Sequence, residues 1–247
     1  MLRDISQKIK SSKRIIIFTG AGISKDSGIQ TFRDEDGLWK NFDPQKLATL
    51  DGFLKDPVMV WKWYISRIEK IKQAKPNMGH YFVANIEKIN KATFVITQNI
   101  DGLHKKAGSK NVIELHGNVE QIKCLKCTYK KPYDDTDFSV LPPKCICGSL
   151  LRPDVVWFGE ALPYESLIKA FNLAELADLA IIIGTSNLVY PAAEIPFIAK
   201  RNRSFIIEIN PERTVLTPYV DIYLNNPSKD AYEMLISLLN SNEEKIS

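Results

Sequence analysis

The hydrophobic pattern consists of short apolar runs that each end in small or polar residues. The runs "RIIIFTG", "KATFVITQN", "LADLAIIIGTS" and "RSFIIEIN" have the nearly continuous apolar character of strands buried on both faces of a parallel sheet. Helix-like or loop segments separate them, and right-handed crossovers between parallel strands give a doubly wound α/β sheet. Ligands of such sheets bind at the carboxyl ends of the strands, where the chain has Gly20, Gln98, Gly184 and Asn210.

Two regions interrupt this alternation of strands and crossovers. Residues 34–78 are rich in Trp, Lys and helix formers, and residues 119–151 hold all four cysteines. We interpret the two regions as a smaller domain inserted in a large domain made of residues 1–33, 79–118 and 152–247. A chain of 247 residues is long enough to bury a core of this kind.

The composition, with 45% hydrophobic and 25% charged residues, is typical of a globular protein, and no apolar run is long enough to span a bilayer. The opening "MLRDISQKIK" lacks the apolar core of a secretory signal, which predicts a cytoplasmic chain with reduced cysteines and no membrane anchor. The net charge of +4 is mild and spread along the chain, so nucleic acid is not a required partner.

The first strand leads into "TGAGIS", a glycine-rich turn. Gly20 and Gly22 would let the backbone approach a pyrophosphate, which the amides of a following helix would favour, although an ordinary strand-to-helix turn explains the pair equally well. A dinucleotide fingerprint would place its third glycine where Lys25 stands, and the next glycine is Gly28. The turn therefore predicts NAD binding but disfavours a hydride-transferring dehydrogenase.

The cysteines form two close pairs. Cys124 and Cys127 are two residues apart, and after a gap of 17 residues Cys145 and Cys147 are one residue apart. Four thiolates in two pairs suit tetrahedral Zn²⁺ and leave no open position for a substrate. The spacing predicts one structural zinc ion, with a set of buried free thiols as the alternative.

A third group of polar residues follows the second strand in "TQNIDGLHKKAG". Gln98, Asn99 and Asp101 would lie at the mouth of the nucleotide crevice, within reach of ribose hydroxyls and a nicotinamide carboxamide. His116, in "ELHGN", stands at a turn as expected of a side chain presented to a cleft. By pattern alone it is equally a general base or a histidine satisfied within the fold.

These segments together resemble a known family. "GAGIS", "GIQTFR", "TQNIDGLH", "LHGN", the paired cysteines, "LLRPDVVWFGE", "IIIGTSNLVYPAA" and "IIEINPE" stand in the order found in the sirtuin family of NAD-dependent protein deacylases. The resemblance runs from about Ile15 to Asp230. It implies a Rossmann-like large domain, and a small domain made of a helical module and a zinc module.

The resemblance also implies the reaction. NAD⁺ is consumed as a co-substrate: the acyl oxygen of a modified protein lysine attacks the ribose, nicotinamide leaves, and the acyl group ends on ADP-ribose. His116 would be the general base and Asn99 a second catalytic residue, while Phe32 would shield the reacting ribose carbon. Acylated lysines of proteins are the expected partners, with chromatin and metabolic proteins as candidates.

Further roles follow from the same resemblance. The residues expected to bind NAD are Gly20, Ala21, Gly22, Ile23, Phe32, Arg33, Gln98, Asn99, Ile100, Asp101, Gly184, Thr185, Ser186, Asn210, Pro211, Glu212, Asp230 and Ala231. The residues expected to pair with the peptide and line the lysine tunnel are Val156, Trp157, Phe158 and Gly159.

Tyr64 and Arg67 are three residues apart and share one face of a predicted helix. For an arbitrary helix they would be a surface pair. A Tyr-x-x-Arg pair at this place is, however, similar to that of class III sirtuins, in which it reaches into the acyl pocket. A guanidinium binds a carboxylate in a bidentate manner, and Ala48 leaves room, so the resemblance implies removal of succinyl and malonyl groups as well as acetyl groups.

Two other functions remain open at this point. A mono-ADP-ribosyltransferase would use the same co-substrate and break the same bond. A zinc-ribbon nucleic-acid-binding protein is the non-enzyme alternative, because Lys123, Lys126, Lys130 and Lys131 cluster around the first cysteine pair.

Overall fold

All four predicted strands lie in one parallel sheet. The computed structural model describes residues 1–31, 43–225, 227 and 229–241, and its elements are numbered below in chain order. The strands are β1 (Ile15–Thr19), β2 (Thr93–Thr97), β3 (Val112–Glu114), β4 (Gly117–Cys124), β5 (Lys130–Pro132), β6 (Leu151–Val155), β7 (Leu179–Ile183), β8 (Phe205–Asn210) and β9 (Ile222–Asn225). The helices are α1 (Leu2–Ser11), α2 (Pro44–Leu47), α3 (Leu50–Lys55), α4 (Pro57–Gln73), α5 (Met78–Ile89), α6 (Leu103–Lys106), α7 (Tyr164–Leu176), α8 (Glu194–Arg201) and α9 (Lys229–Asn240).

The strand order of the large sheet is β3-β2-β1-β7-β8-β9, and every neighbouring pair is parallel. This is the Rossmann order: the chain adds β2 and β3 on one side of β1, and then adds β7, β8 and β9 on its other side. The fold-class prediction is therefore confirmed. The sequence pattern missed β3 and β9, because these edge strands of 3 and 4 residues are too short to give a recognisable apolar run.

Alternate residues of β1 face two different cores. Ile15 and Ile17 pack with the first core, which includes side chains of α1, α5 and α9, whereas Ile16 and Phe18 pack with the second, under α7 and α8. All five residues of β1 are buried. A strand covered by helices on both faces needs apolar residues at every position, which is why the run is continuous and not alternating.

A third core holds the helical module and the cysteine module together. Helices α2, α3 and α4 pack on a three-stranded antiparallel sheet of order β5-β4-β6, with Trp61 buried between them. Helix α4 begins where Asp56 accepts a hydrogen bond from the Met59 amide and Pro57 takes the first helical position. Strand β4 crosses the predicted domain boundary after residue 118, and strand β6 crosses the one after residue 151. The division into domains stays a prediction.

Among the described residues, no helix has both the length and the apolar character needed to cross a membrane.

Candidate active site

The glycine turn after β1 packs against the loop after β7 at the switch point of the sheet. The Gly22 amide donates to the Gly184 carbonyl over 2.8 Å, and a Cβ built on Gly22 would lie 2.7 Å from Gly184 Cα. A Cβ on Gly20 would likewise lie 2.7 Å from Thr185 Cβ. Contact between the two loops therefore requires these glycines, whatever ligand the turn binds, and the pyrophosphate contact stays a prediction.

The absence of a third glycine at Lys25 has a structural explanation. The turn continues as a 3₁₀ helix, Ala21–Ser27, and not as the long α-helix of a dinucleotide fingerprint. The 3₁₀ helix ends at Gly28, which has a φ of 80°. The expected helix after the turn is this 3₁₀ helix, and it brings Ser24 into the buried centre of the site.

Ser24 belongs to a group of buried polar side chains that we call the crevice cluster: Ser24, His80, Asn99, Asp101 and His104. The Ser24 hydroxyl donates to Asp101 Oδ2 over 2.7 Å, and Asn99 Nδ2 donates to the Gly20 carbonyl over 3.0 Å and to Ser24 Oγ over 3.2 Å. Burial raises the pKa of Asp101, and the hydrogen bonds from the Leu103 amide and Ser24 oppose that shift. The loops after β1 and β2 are thus joined through uncharged donors.

The two histidines of the crevice cluster were not predicted as site residues. Their rings meet edge to face, with centroids 5.0 Å apart, and both are almost completely buried. Burial lowers the pKa of His80 to about 4, and burial together with the neighbouring His80 lowers the pKa of His104 to about 3. His104 Nε2 lies 2.9 Å from Thr19 Oγ1, on β1. Sequence could have suggested His104, which ends the quoted "TQNIDGLH", but not His80, which lies on a helix far along the chain.

His116 lies between β3 and β4, at the carboxyl end of β3. Its Nδ1 is 2.9 Å from the Gln98 carbonyl oxygen, and its own carbonyl accepts from the Val156 amide over 2.9 Å. A carbonyl can only accept, so Nδ1 carries the proton and Nε2 keeps a lone pair. Burial lowers the pKa of His116, and the bond to Gln98 partly opposes this shift. The imidazole is therefore neutral near pH 7, as a general base must be.

The glycine that follows His116 fixes its position. Gly117 has a φ of 81°, and a Cβ there would lie 2.0 Å from the Asp154 carbonyl oxygen. No residue with a side chain fits this position, so "HG" is a structural requirement where β4 begins beside β6.

On the opposite side of the crevice, residues at the ends of β2, β7 and β8 contact one another. Gln98 Nε2 donates to Thr185 Oγ1 over 2.9 Å, and Asn210 Nδ2 donates to the Thr185 carbonyl over 3.0 Å. Ser186, Pro211 and Glu212 are exposed beside them. Phe32 and Arg33 lie outside the described residues. The predicted contacts of all these residues with NAD stay predictions.

Tyr64 and Trp157 join the helical module to the segment after β6. Trp157 Nε1 donates to the Tyr64 hydroxyl over 2.9 Å, and the Phe158 amide donates to the Ala48 carbonyl over 2.8 Å. Tyr64 and Arg67 share one face of α4, and the Arg67 guanidinium lies 5.4 Å from the centroid of the Trp63 ring. Burial lowers the pKa of Arg67 to about 10, so it is a cation at neutral pH.

Trp157 itself is only 2% exposed, whereas Phe158 is 50% exposed. The ring of Trp157 lies 3.3 Å from the Arg152 guanidinium, and Arg152 is paired with Glu160. Glu160 also accepts the Trp157 amide over 2.9 Å. We call Tyr64, Arg67, Arg152, Trp157 and Glu160 the acyl-side cluster. The ion pair of buried Arg152 with half-buried Glu160 was not predicted, although both residues stand in the quoted "LLRPDVVWFGE".

The four cysteines meet at one point beside the small sheet, with all sulfurs within 4.8 Å of one another. Cys124 Sγ is 3.5 Å from Cys147 Sγ, and Cys127 Sγ is 3.7 Å from both Cys145 Sγ and Cys147 Sγ. Zn–S bonds of about 2.3 Å in a tetrahedron place sulfurs about 3.8 Å apart, so the residues fit Zn²⁺. A zinc ion bound by all four sulfurs has no open position for a substrate, so the geometry fits a structural site.

Comparisons with known proteins agree with this geometry. The sequence profile described as the Sir2 family matches residues 20–191. An NAD-dependent protein deacylase of Pyrococcus furiosus is 48% identical over 242 residues, which are 96% of this chain and 97% of that protein. A solved structure of a mutant Sir2 homologue with ADP-ribose has a TM-score of 0.91 at 43% identity, covering 96% of this chain and 95% of that one. A Sir2 structure with a p53 peptide and NAD⁺ has a TM-score of 0.83 at 35% identity, covering 97% of each chain. The chain belongs to the Sir2 family.

Proposed function

We infer that this chain is an NAD-dependent protein-lysine deacylase that moves the acyl group to ADP-ribose and releases nicotinamide. Its relative from Pyrococcus furiosus is named an NAD-dependent protein deacylase, and solved Sir2 structures are described as complexes with ADP-ribose, or with NAD⁺ and a p53 peptide. The observation that carries the inference is the position of His116. Its Nδ1 is bonded to the Gln98 carbonyl in the loop after β2, so Nε2 keeps the lone pair that can accept a proton.

His116 would take the proton of a ribose hydroxyl on Nε2. The bond from Nδ1 to the Gln98 carbonyl fixes the tautomer and becomes stronger once the ring is an imidazolium. Because that carbonyl belongs to the loop after β2, the base and the predicted nicotinamide-binding residues share one rigid support. The lowered pKa keeps the ring unprotonated before the reaction.

Asn99 and Asp101 would bind and orient the nicotinamide end of NAD⁺. Both side chains are buried, and both contact Ser24 across the crevice. Buried hydrogen-bonding groups of this kind are held in place before the substrate arrives, and they exclude water from the ribose carbon that reacts. Thr185 and Asn210 would hold the adenosine end.

Mass spectrometry of the products tests the reaction. An acetyl-lysine peptide incubated with the enzyme and NAD⁺ should give free lysine, nicotinamide and acyl-ADP-ribose in equal amounts, and nothing without NAD⁺. ADP-ribose attached to the peptide or to the enzyme, without acyl-ADP-ribose, would support the mono-ADP-ribosyltransferase alternative.

We further propose that acidic acyl groups are substrates. Arg67 is a half-buried cation on the same helix face as the Tyr64 hydroxyl, and the charges of the two groups affect each other's pKa. A cation and a hydroxyl together suit the terminal carboxylate of a succinyl or malonyl group. A panel of peptides with acetyl, succinyl, malonyl and longer acyl groups tests the proposal, which fails if no acidic acyl group is removed.

We also propose a class of protein substrate and a cellular location. Acylated lysines of chromatin or metabolic proteins are the expected substrates, and we expect the enzyme in the cytoplasm. Comparison of the acyl-lysine proteome with and without the enzyme, together with cell fractionation, would test both expectations.

A further inference from the structure

We propose that Trp157 is a positioning residue that makes Tyr64 a dedicated hydrogen-bond donor for the carboxylate of an acidic acyl group. This inference rests on the proposed acyl specificity and adds a residue that determines it. The expectation that Trp157 lines the lysine tunnel stays a prediction, and 2% of its surface is exposed. Its contacts within the protein are the basis for a different role.

The indole N–H of Trp157 and the hydroxyl of Tyr64 have complementary roles. An indole N–H can only donate, so the 2.9 Å contact makes the phenol oxygen the acceptor. The phenol still has its own proton, and no acceptor for that proton is found among the described residues. The hydroxyl is thus a buried donor with one lone pair already bonded.

Trp157 is itself held by three contacts, which fix the direction of its N–H. Its backbone amide donates to Glu160 Oε2 over 2.9 Å, and the Arg152 guanidinium lies 3.3 Å from the centre of its ring. Phe53 contacts the same ring, with centroids 5.2 Å apart. The ion pair of Arg152 and Glu160 therefore supports the indole, and through it the orientation of the phenol.

This arrangement favours a carboxylate over a methyl group. A phenol that accepts a hydrogen bond becomes a stronger donor, because neighbouring hydrogen bonds polarise one another. A carboxylate is purely an acceptor, so it can use the phenol proton while Arg67 supplies the opposite charge. The methyl end of an acetyl group offers no acceptor at this position. Loss of the indole N–H should therefore affect acidic acyl groups most.

The test is a double-mutant cycle between Trp157 and Tyr64, with selectivity as the measurement. W157F keeps an aromatic ring and removes the N–H. We expect it to lower the ratio of kcat/KM for a succinyl peptide to that for an acetyl peptide by about five- to tenfold, mainly through the succinyl KM, which corresponds to one hydrogen bond. In a Y64F background the same substitution should leave the ratio unchanged, because the phenol through which it acts is absent.

W61F is the matched control. Trp61 is also fully buried in the third core, and its indole N–H donates over 2.9 Å to the Leu151 carbonyl. W61F removes an equivalent hydrogen bond without touching the Tyr64 hydroxyl, so it should lower stability and leave the acyl selectivity ratio as in the wild type. Acetyl turnover by each variant reports whether it has folded.

The outcomes separate the two proposals. A wild type that removes no acidic acyl group overturns the acidic-acyl proposal and this one with it. If the wild type does remove acidic acyl groups, two results overturn the role of Trp157 alone. The first is a W157F variant that loses the same activity on the succinyl and the acetyl peptide. The second is a loss of selectivity on W157F substitution that is as large in the Y64F background as in the wild type. Loss of selectivity in W61F as large as in W157F would also contradict it.

Discussion

The crevice cluster is buried, whereas Arg67 and Glu160 of the acyl-side cluster are half-buried, and the two clusters also differ in charge. In the crevice cluster burial lowers the pKa of His80 and His104 and raises that of Asp101, which favours the uncharged form of each group. In the acyl-side cluster Arg67 stays a cation, and Arg152 is paired with Glu160, whose pKa is lowered by Arg152 and the Trp157 amide despite its burial. One end of the site therefore presents neutral hydrogen-bonding groups, and the other presents fixed charge.

The difference matches the chemistry proposed for each end. At the ribose, a positive charge develops only during the reaction, and neutral groups held in place can respond without first being desolvated. At the acyl end, the charge of a succinyl or malonyl group is permanent, so a permanent cation is the suitable partner. The predictions below test this comparison, from the largest expected effect to the smallest.

Removal of the metal should have the largest effect, because the cysteine site stabilises the module that carries the acyl-side cluster. Structural zinc sites contribute on the order of 10 kcal/mol to folding in zinc-finger peptides. Treatment with a strong chelator should lower Tm and abolish deacylation, with about one zinc ion per chain lost by elemental analysis. Return of both Tm and activity on adding Zn²⁺ is the control. A metal-free protein with unchanged Tm would contradict a structural site.

H116A should have the next largest effect, confined to the crevice. Loss of a general base costs about 10² to 10⁴ fold in rate, or roughly 3 to 5 kcal/mol. The variant should lose deacylation of acetyl and succinyl peptides alike and still bind NAD⁺, as measured by calorimetry. Activity above about a tenth of the wild type would refute the assignment of His116 as the base.

R67M should act on the acyl side only. A charge-assisted hydrogen bond contributes about 1.5 to 3 kcal/mol, so the KM for a succinyl peptide should rise about ten- to a hundredfold, and far more than the KM for an acetyl peptide. K62M is the matched control, since Lys62 is an exposed cation on the same helix. Equal effects of R67M on the two peptides would indicate a structural role for Arg67.

The smallest effect concerns pH and the buried histidines. Because the pKa values of His80 and His104 are about 4 and 3 in the folded protein, below the ordinary 6.5, the unfolded chain binds protons that the folded chain does not. Their contribution is complete above pH 6.5, and stability falls as the pH drops from 6.5 towards those values, by at most about 1.4 kcal/mol per pH unit for each histidine.

Urea unfolding at pH 7.5 and 5.0 measures this effect. Asp101, whose pKa is raised, acts in the opposite direction, so wild type is best compared with H104N and not interpreted alone. H104N should show a smaller loss of unfolding free energy between the two pH values. An identical loss would mean that His104 titrates normally in the folded protein.

Much of this protein can be predicted from local sequence. Continuous apolar runs indicate buried parallel strands because both faces of β1, β2, β7 and β8 are covered, and the cysteine spacing indicates zinc because metal ligands must be close in space. The ordered motifs indicate the family. These signals depend on neighbouring residues, whose physical requirements are the same in any protein with that local structure.

The rest was decided by tertiary contacts between distant segments. Several side-chain pairs could not be predicted, because the packing of separate elements brings their members together. They are His80 with His104, Ser24 with Asp101, and Trp157 with Tyr64. The sequence also left Gly20 and Gly22 open between a phosphate contact and an ordinary turn, and contact with the loop after β7 requires them in either case. Burial, which sets the protonation state of a side chain and the partners it can reach, arises only once the whole chain has folded.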